Sequence, residues 1–67
     1  SNYIKNLNKH EIKSGEAKCV DNKGIEDLFD VGVVYIYEGY KEEDMVWVYD
    51  RFGNRGEYFK DRFIIIW

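Results

Sequence analysis

The chain has 67 residues, a formal net charge of −3 and an aromatic fraction of 18%. This length has room for one domain with one hydrophobic core, and the aromatic rings supply much of the apolar surface that such a core buries. The single cysteine, Cys19, excludes an intramolecular disulfide and a cysteine-rich zinc site. No stretch has the length and hydropathy of a signal peptide or a membrane span, so we expect a cytoplasmic protein that does not enter the membrane.

Residues 1–15 differ in composition from the rest and are predicted to form an N-terminal arm on a domain at 16–67. The arm carries Ile4, Leu7 and Ile12 among asparagines and lysines, with only weak helical spacing. A short helix of this kind is unstable unless it docks on the domain.

The domain is predicted to contain five short strands, because β-branched and aromatic residues are concentrated in runs separated by turn residues. The predicted strands are residues 16–20, 33–38, 45–50, 56–60 and 63–67. A long excursion joins the first two strands and carries three apolar anchors, Ile25, Leu28 and Phe29. The last strand is expected to close the fold by burying Phe63 and two isoleucines.

This strand order predicts an all-β domain, a five-stranded SH3-like small barrel with a short N-terminal arm. An OB-type barrel is the other candidate. It usually carries a helix between its third and fourth strands, and the tight turn predicted at 51–54 leaves no room for one.

Four short strings of the sequence resemble a group of very short bacteriophage and prophage proteins. The strings are KCVDNKG at 18–24, DL at 27–28, VGVVY at 31–35 and KDRF at 60–63. The resemblance covers roughly residues 17–66 and implies an SH3-like barrel of phage or prophage origin. That group has no assigned biochemistry, so the resemblance implies no catalytic or binding residues. Residues 1–15 depart from the pattern as an additional arm.

The runs at 33–38 and 45–50 predict a β-hairpin that is apolar on both faces. A symmetric loop over 39–44 would pair Ile36 with Trp47, and alternation would place these two on the same face. The opposite face, which holds Tyr35, Tyr37, Val46 and Val48, is then predicted to form the core. The resembled group favours this choice, because its positions matching Ile36 and Trp47 are often polar. A slip of one residue would reverse it.

The face away from the core is the candidate binding surface. Its residues are Ile36, Met45, Trp47 and Tyr49. Trp, Tyr and Met are enriched at the energetic centres of protein interfaces, so we expect a protein partner or self-association. In the other interpretation, Ile4 and Leu7 of the arm cover this face.

A single-stranded nucleic-acid-binding small barrel is the alternative function. Aromatic side chains on a small barrel can stack unpaired bases, but this requires cations among the rings. Residues 21–44 carry two lysines and eight acids, a net charge of −6. This acidic middle disfavours nucleic acid as a partner.

No constellation of catalytic or metal-binding residues is recognisable. The acids Asp21, Glu26, Asp27 and Asp30 do not have the spacing of an EF-hand calcium loop. A cysteine nucleophile needs a base, and His10 is the only histidine in the chain. The sequence therefore predicts a protein that is not an enzyme, with no cofactor, metal or small-molecule substrate. It predicts a protein-binding module, a phage accessory or host-interaction factor.

Overall fold

The computed structural model describes residues 14–66, so residues 1–13 and Trp67, including most of the predicted arm, lie outside the described residues. The described part contains β1 (Gly15–Cys19), β2 (Val34–Glu42), β3 (Met45–Tyr49), β4 (Arg55–Phe59) and β5 (Phe63–Ile65). A 3₁₀ turn, Lys60–Arg62, joins β4 to β5. The all-β prediction of five strands is confirmed, and residues 14–66 contain no α-helix.

The five strands form one antiparallel sheet in the order β4-β3-β2-β1-β5. The first strand lies between β2 and β5, so the two ends of the domain meet within the sheet. Among the described residues β4 and β5 are not paired with each other, and the hydrogen-bonded sheet is open.

The β2–β3 hairpin has a different register from the predicted one. Tyr37 lies opposite Val48, so the predicted pairing of Ile36 with Trp47 is wrong. The observed register differs from it by two residues and brings Ile36 level with Tyr49. Because side chains alternate along a strand, a shift of two residues leaves each side chain on its predicted face.

The register changes because β2 is longer than predicted. It continues to Glu42, so the turn consists of residues 43–44 and not of the six residues 39–44. The pairing is irregular between Tyr37 and Tyr40. Gly39 lies within this irregularity with a φ of 105°, a conformation that glycine adopts without a steric penalty.

The core lies on the predicted side of the sheet. Its buried side chains are Ala17, Cys19, Phe29, Tyr37, Val46, Val48 and Phe63. The Phe29 ring packs edge-on against three other rings, with centroid distances of 4.7 Å to Tyr35, 4.9 Å to Tyr58 and 5.3 Å to Phe63. Phe29 is therefore the centre of an aromatic cluster that ties the β1–β2 loop to β2, β4 and β5.

The long β1–β2 loop is held to the sheet at several points. Phe29 is fully buried, and Ile25 and Leu28 pack against the core, so the three predicted anchors are confirmed. The Arg51 guanidinium donates a hydrogen bond of 2.8 Å to the Asp30 carboxylate. The loop therefore behaves as part of the domain and not as a free excursion.

The closing strand buries less than was predicted. Phe63 is buried and Ile65 is half-buried, but Ile64 is 55% exposed and Ile66 is 44% exposed. Ile65 is the only half-buried isoleucine among residues 64–66 and none of the three is fully buried, so the prediction of two buried isoleucines is wrong. Alternation is the reason, because Ile64 points to the side of the sheet away from Phe63.

Asp50 organises the turn between β3 and β4. Its buried carboxylate accepts hydrogen bonds from the backbone N–H of Phe52 at 2.8 Å and of Asn54 at 3.0 Å. We expect Asp50→Ala to lower the free energy of unfolding by about 1–3 kcal/mol, because two turn donors lose their acceptor. Asp50→Asn keeps an acceptor oxygen and should cost less. Urea titration of both variants checks this, and equal losses would contradict it.

Candidate functional site

The side of the sheet away from the Phe29 cluster is here called the outer face. Strand alternation and the pairing registers place these residues on it: Glu16, Lys18, Val34, Ile36, Glu38, Lys41, Met45, Trp47, Tyr49, Arg55, Glu57, Phe59, Ile64 and Ile66. No other layer of the described residues covers this face.

All four predicted site residues lie on the outer face, but they do not form one patch. Ile36 is 58% exposed and lies level with Tyr49, which is half-buried. Met45 lies at the far end of β3, opposite Phe59 of β4. Trp47 lies between these two groups and is also half-buried.

Trp47 is flanked by two cations that the sequence analysis did not associate with it. The Arg55 guanidinium carbon lies 4.4 Å from the ring centroid, and the Lys41 Nζ lies 5.8 Å from it. Each cation also contacts an acid, Arg55 to Glu38 at 3.2 Å and Lys41 to Glu57 at 3.1 Å. These ion-paired side chains therefore cover part of the Trp47 ring, which leaves less of it exposed than the sequence suggested.

Glu38 connects the charged side chains around Trp47 to Tyr49. The Tyr49 hydroxyl donates a hydrogen bond of 2.8 Å to Glu38, whose other oxygen accepts from Arg55. The hydrogen bond to Glu38 raises the pKa of Tyr49, because ionisation would remove the donor and place a phenolate beside a carboxylate. The hydrogen bond to Glu57 likewise raises the pKa of Lys41. These contacts hold the outer-face side chains of β2, β3 and β4 in one arrangement.

An open groove lies beside Ile36, with a volume of about 540 Å³. It is lined by Val34, Tyr35, Ile36, Tyr49, Asp50, Arg51 and Gly53. Its apolar walls come from the start of β2 and the end of β3. The groove can accept an apolar side chain of another molecule next to Ile36.

A second groove, of about 630 Å³, lies along β5. Tyr40 and Ile65 line it together with Lys60, whose Nζ lies 6.0 Å from the Tyr40 ring centroid. It is separate from the four predicted site residues, none of which lines it.

The positions of Arg55 and Lys41 beside Trp47 were not predicted from the sequence. The turn predicted at 51–54 gave no correct signal for Arg55, because a four-residue turn would pair Arg55 with Asp50, whereas the structure pairs it with Tyr49. Lys41 was missed because it was assigned to the hairpin loop and not to β2.

Comparison of the chain with protein-family models, with curated proteins and with solved structures gave no match. Within residues 14–66, no group of three or more His, Cys, Asp or Glu side chains is arranged to hold a metal ion. The same residues include no helix with the length and hydropathy needed to cross a membrane.

Proposed function

We propose that this protein is a non-enzymatic protein-binding module whose outer face docks on a partner through Ile36, Tyr49 and the groove between them. One observation carries the proposal: a 58% exposed isoleucine lies beside an open apolar groove of about 540 Å³, on a sheet face that no other layer of residues 14–66 covers. Protein interfaces combine an apolar centre of this kind with a polar rim. Trp47 and Met45 lie on the same face, farther along β3 from Ile36.

The charges around this surface support a protein partner. Arg55 and Lys41, which flank Trp47, are matched by Glu38 and Glu57. Binding to phosphate groups needs an excess of positive charge, and this part of the face has none. Paired charges at the rim of an apolar patch contribute to partner selection instead.

A single-stranded nucleic acid is the second candidate partner. The observation in its favour is that cations lie over exposed or half-exposed rings, Arg55 over Trp47 and Lys60 over Tyr40. Base stacking uses such aromatic and cationic surfaces together. The carboxylate on Arg55 counts against it, because a phosphate would have to displace Glu38.

We further propose that the sheet belongs to an SH3-like barrel of phage or prophage origin, acting as an accessory or host-interaction factor. Two observations support the barrel. The first strand lies between β2 and β5, and a 3₁₀ turn separates β4 from β5. The four sequence strings described above support the origin.

The binding surface is tested by placing one charge in its centre. We expect Ile36→Lys to abolish capture of a partner from a bacterial lysate, because a lysine cannot enter an apolar contact without losing its hydration. Val31→Lys is the matched control, since Val31 is a similarly exposed aliphatic side chain in the β1–β2 loop. Both variants should melt like the wild type. A captured protein that Ile36→Lys retains at full yield would contradict the proposal.

The nucleic-acid candidate is tested by titrating a fluorescent single-stranded oligonucleotide into the wild type and Arg55→Ala. Salt-dependent binding that Arg55→Ala weakens, together with no captured protein, would replace the proposed function by the second candidate.

A further inference from the structure

Four exposed aliphatic side chains frame two opposite charges on the outer face of β5, β1 and β2. The aliphatic residues are Val34, Ile36, Ile64 and Ile66, and the charged residues are Glu16 and Lys18. The pairing registers arrange them in two rows that cross the three strands. One row is Ile64, Lys18 and Val34, and the other is Ile66, Glu16 and Ile36.

The charges at the centre of this frame restrict what can cover it. Glu16 and Lys18 are exposed, and neither forms an ion pair with another of the residues 14–66. They lie two residues apart on one strand, roughly 7 Å. Burying either charge without an opposite charge would be costly. A molecule that covers the frame must therefore present a cation over Glu16 and an anion over Lys18.

A second copy of the chain meets this requirement. We propose that two copies pack outer face against outer face, with a two-fold axis between the sheets that crosses β1 at the level of Ala17. This inference rests on the proposed function and names its partner as a second copy. The rotation reverses the direction of β1, so Glu16 of each copy lies against Lys18 of the other.

The same rotation matches the apolar frame with itself. It exchanges the two rows of the frame, so Ile64 of one copy lies over Ile66 of the other and Val34 lies over Ile36. An interface of this isologous type requires a surface that is complementary to itself under a two-fold rotation. Sheets that pack face to face interdigitate such side chains at a separation of about 10 Å. The aliphatic contacts supply the driving force, and the paired charges select the register.

The proposed charge pairs can be tested by reversing one charge at a time and then restoring opposite charges at both contacts. Glu16→Lys alone would oppose two lysines at both contacts, and Lys18→Glu alone would oppose two glutamates. We expect each single variant to dimerise at least about tenfold more weakly than the wild type, measured by sedimentation equilibrium. An equimolar mixture of the two variants should form a heterodimer, and the double variant Glu16→Lys/Lys18→Glu should form a homodimer again. Lys23→Glu, an equal charge reversal in an exposed loop, should leave dimerisation unchanged.

Three outcomes overturn the inference, and each is distinguishable from failure of the proposed function. A wild-type protein that stays monomeric at every accessible concentration overturns the proposed dimer. The proposed function would still stand in that case if Ile36→Lys loses a protein that the wild type captures. A dimer that both single variants keep overturns the packing around Ala17. Single variants that are monomeric and are not rescued by mixing, although circular dichroism shows both folded, overturn the charge pairing.

Discussion

Phe29→Ala is expected to leave the domain unfolded or only marginally folded. The Phe29 side chain is fully buried and contacts the rings of Tyr35, Tyr58 and Phe63. Removing a buried phenylalanine costs about 3–5 kcal/mol, because burial and contacts are lost and a cavity remains. A domain of this size has only a few kcal/mol of net stability. Urea and thermal denaturation followed by circular dichroism measure the loss.

Phe52→Ala is the matched control for this prediction. Phe52 is also a loop phenylalanine, but it is 68% exposed, and its truncation should change the free energy of unfolding by less than about 0.5 kcal/mol. A Phe29→Ala variant that unfolds cooperatively near the wild-type midpoint would show that the aromatic cluster is not the centre of the fold.

Deletion of residues 64–67 is expected to give insoluble protein or a chain without a cooperative unfolding transition. It removes the pairs Lys18↔Ile64 and Ala17↔Ile65 and leaves only Cys19↔Phe63 between β1 and β5. The edge of β1 that pairs with β5 would then have lost most of its hydrogen-bonding partners. An unpaired apolar edge promotes aggregation. Solubility after expression and the far-ultraviolet melting curve measure the result.

Ile64→Thr separates the loss of the strand from the loss of one side chain. Ile64 is exposed and threonine is also β-branched, so this variant should keep β5 and fold like the wild type. A deletion variant that stays soluble and melts cooperatively would contradict the role of β5.

The two grooves differ in their position relative to the proposed contact surfaces. The Ile36 groove lies on the face that both proposals use, whereas the groove at Tyr40 and Lys60 lies along β5. Ile36→Lys and the Glu16 and Lys18 variants therefore test different parts of one face. Their combined results show whether self-association and capture of another protein compete for Ile36.

Local patterns in the sequence were sufficient to predict where the strands lie and which of their residues share a face. The β-branched and aromatic runs predicted β1 and β4 to within one residue, and alternation separated Val46 and Val48 from Ile36 onto opposite faces, of which the resemblance favoured the first as the core. The apolar spacing in the β1–β2 loop predicted Phe29 as an anchor. These features depend on side-chain alternation and burial within one segment, which the order of residues specifies directly.

The neighbours of each side chain across the sheet were decided only by the tertiary structure. The irregularity at Gly39 lengthens β2, and this moves Tyr49, not Trp47, opposite Ile36 and brings Lys41 and Arg55 to the Trp47 ring. A turn pattern alone does not predict that irregularity.

The frame around Glu16 and Lys18 depends on strand order in the same way. It exists because β1 lies between β2 and β5, which brings Val34 and Ile64 to either side of Lys18 although they are 30 residues apart in the chain. The sequence by itself determined which residues form strands and which residues of a strand share a face, because alternation is local. Which outer-face residues meet was decided by register and strand order, because pairing between distant segments depends on the packing of the whole sheet.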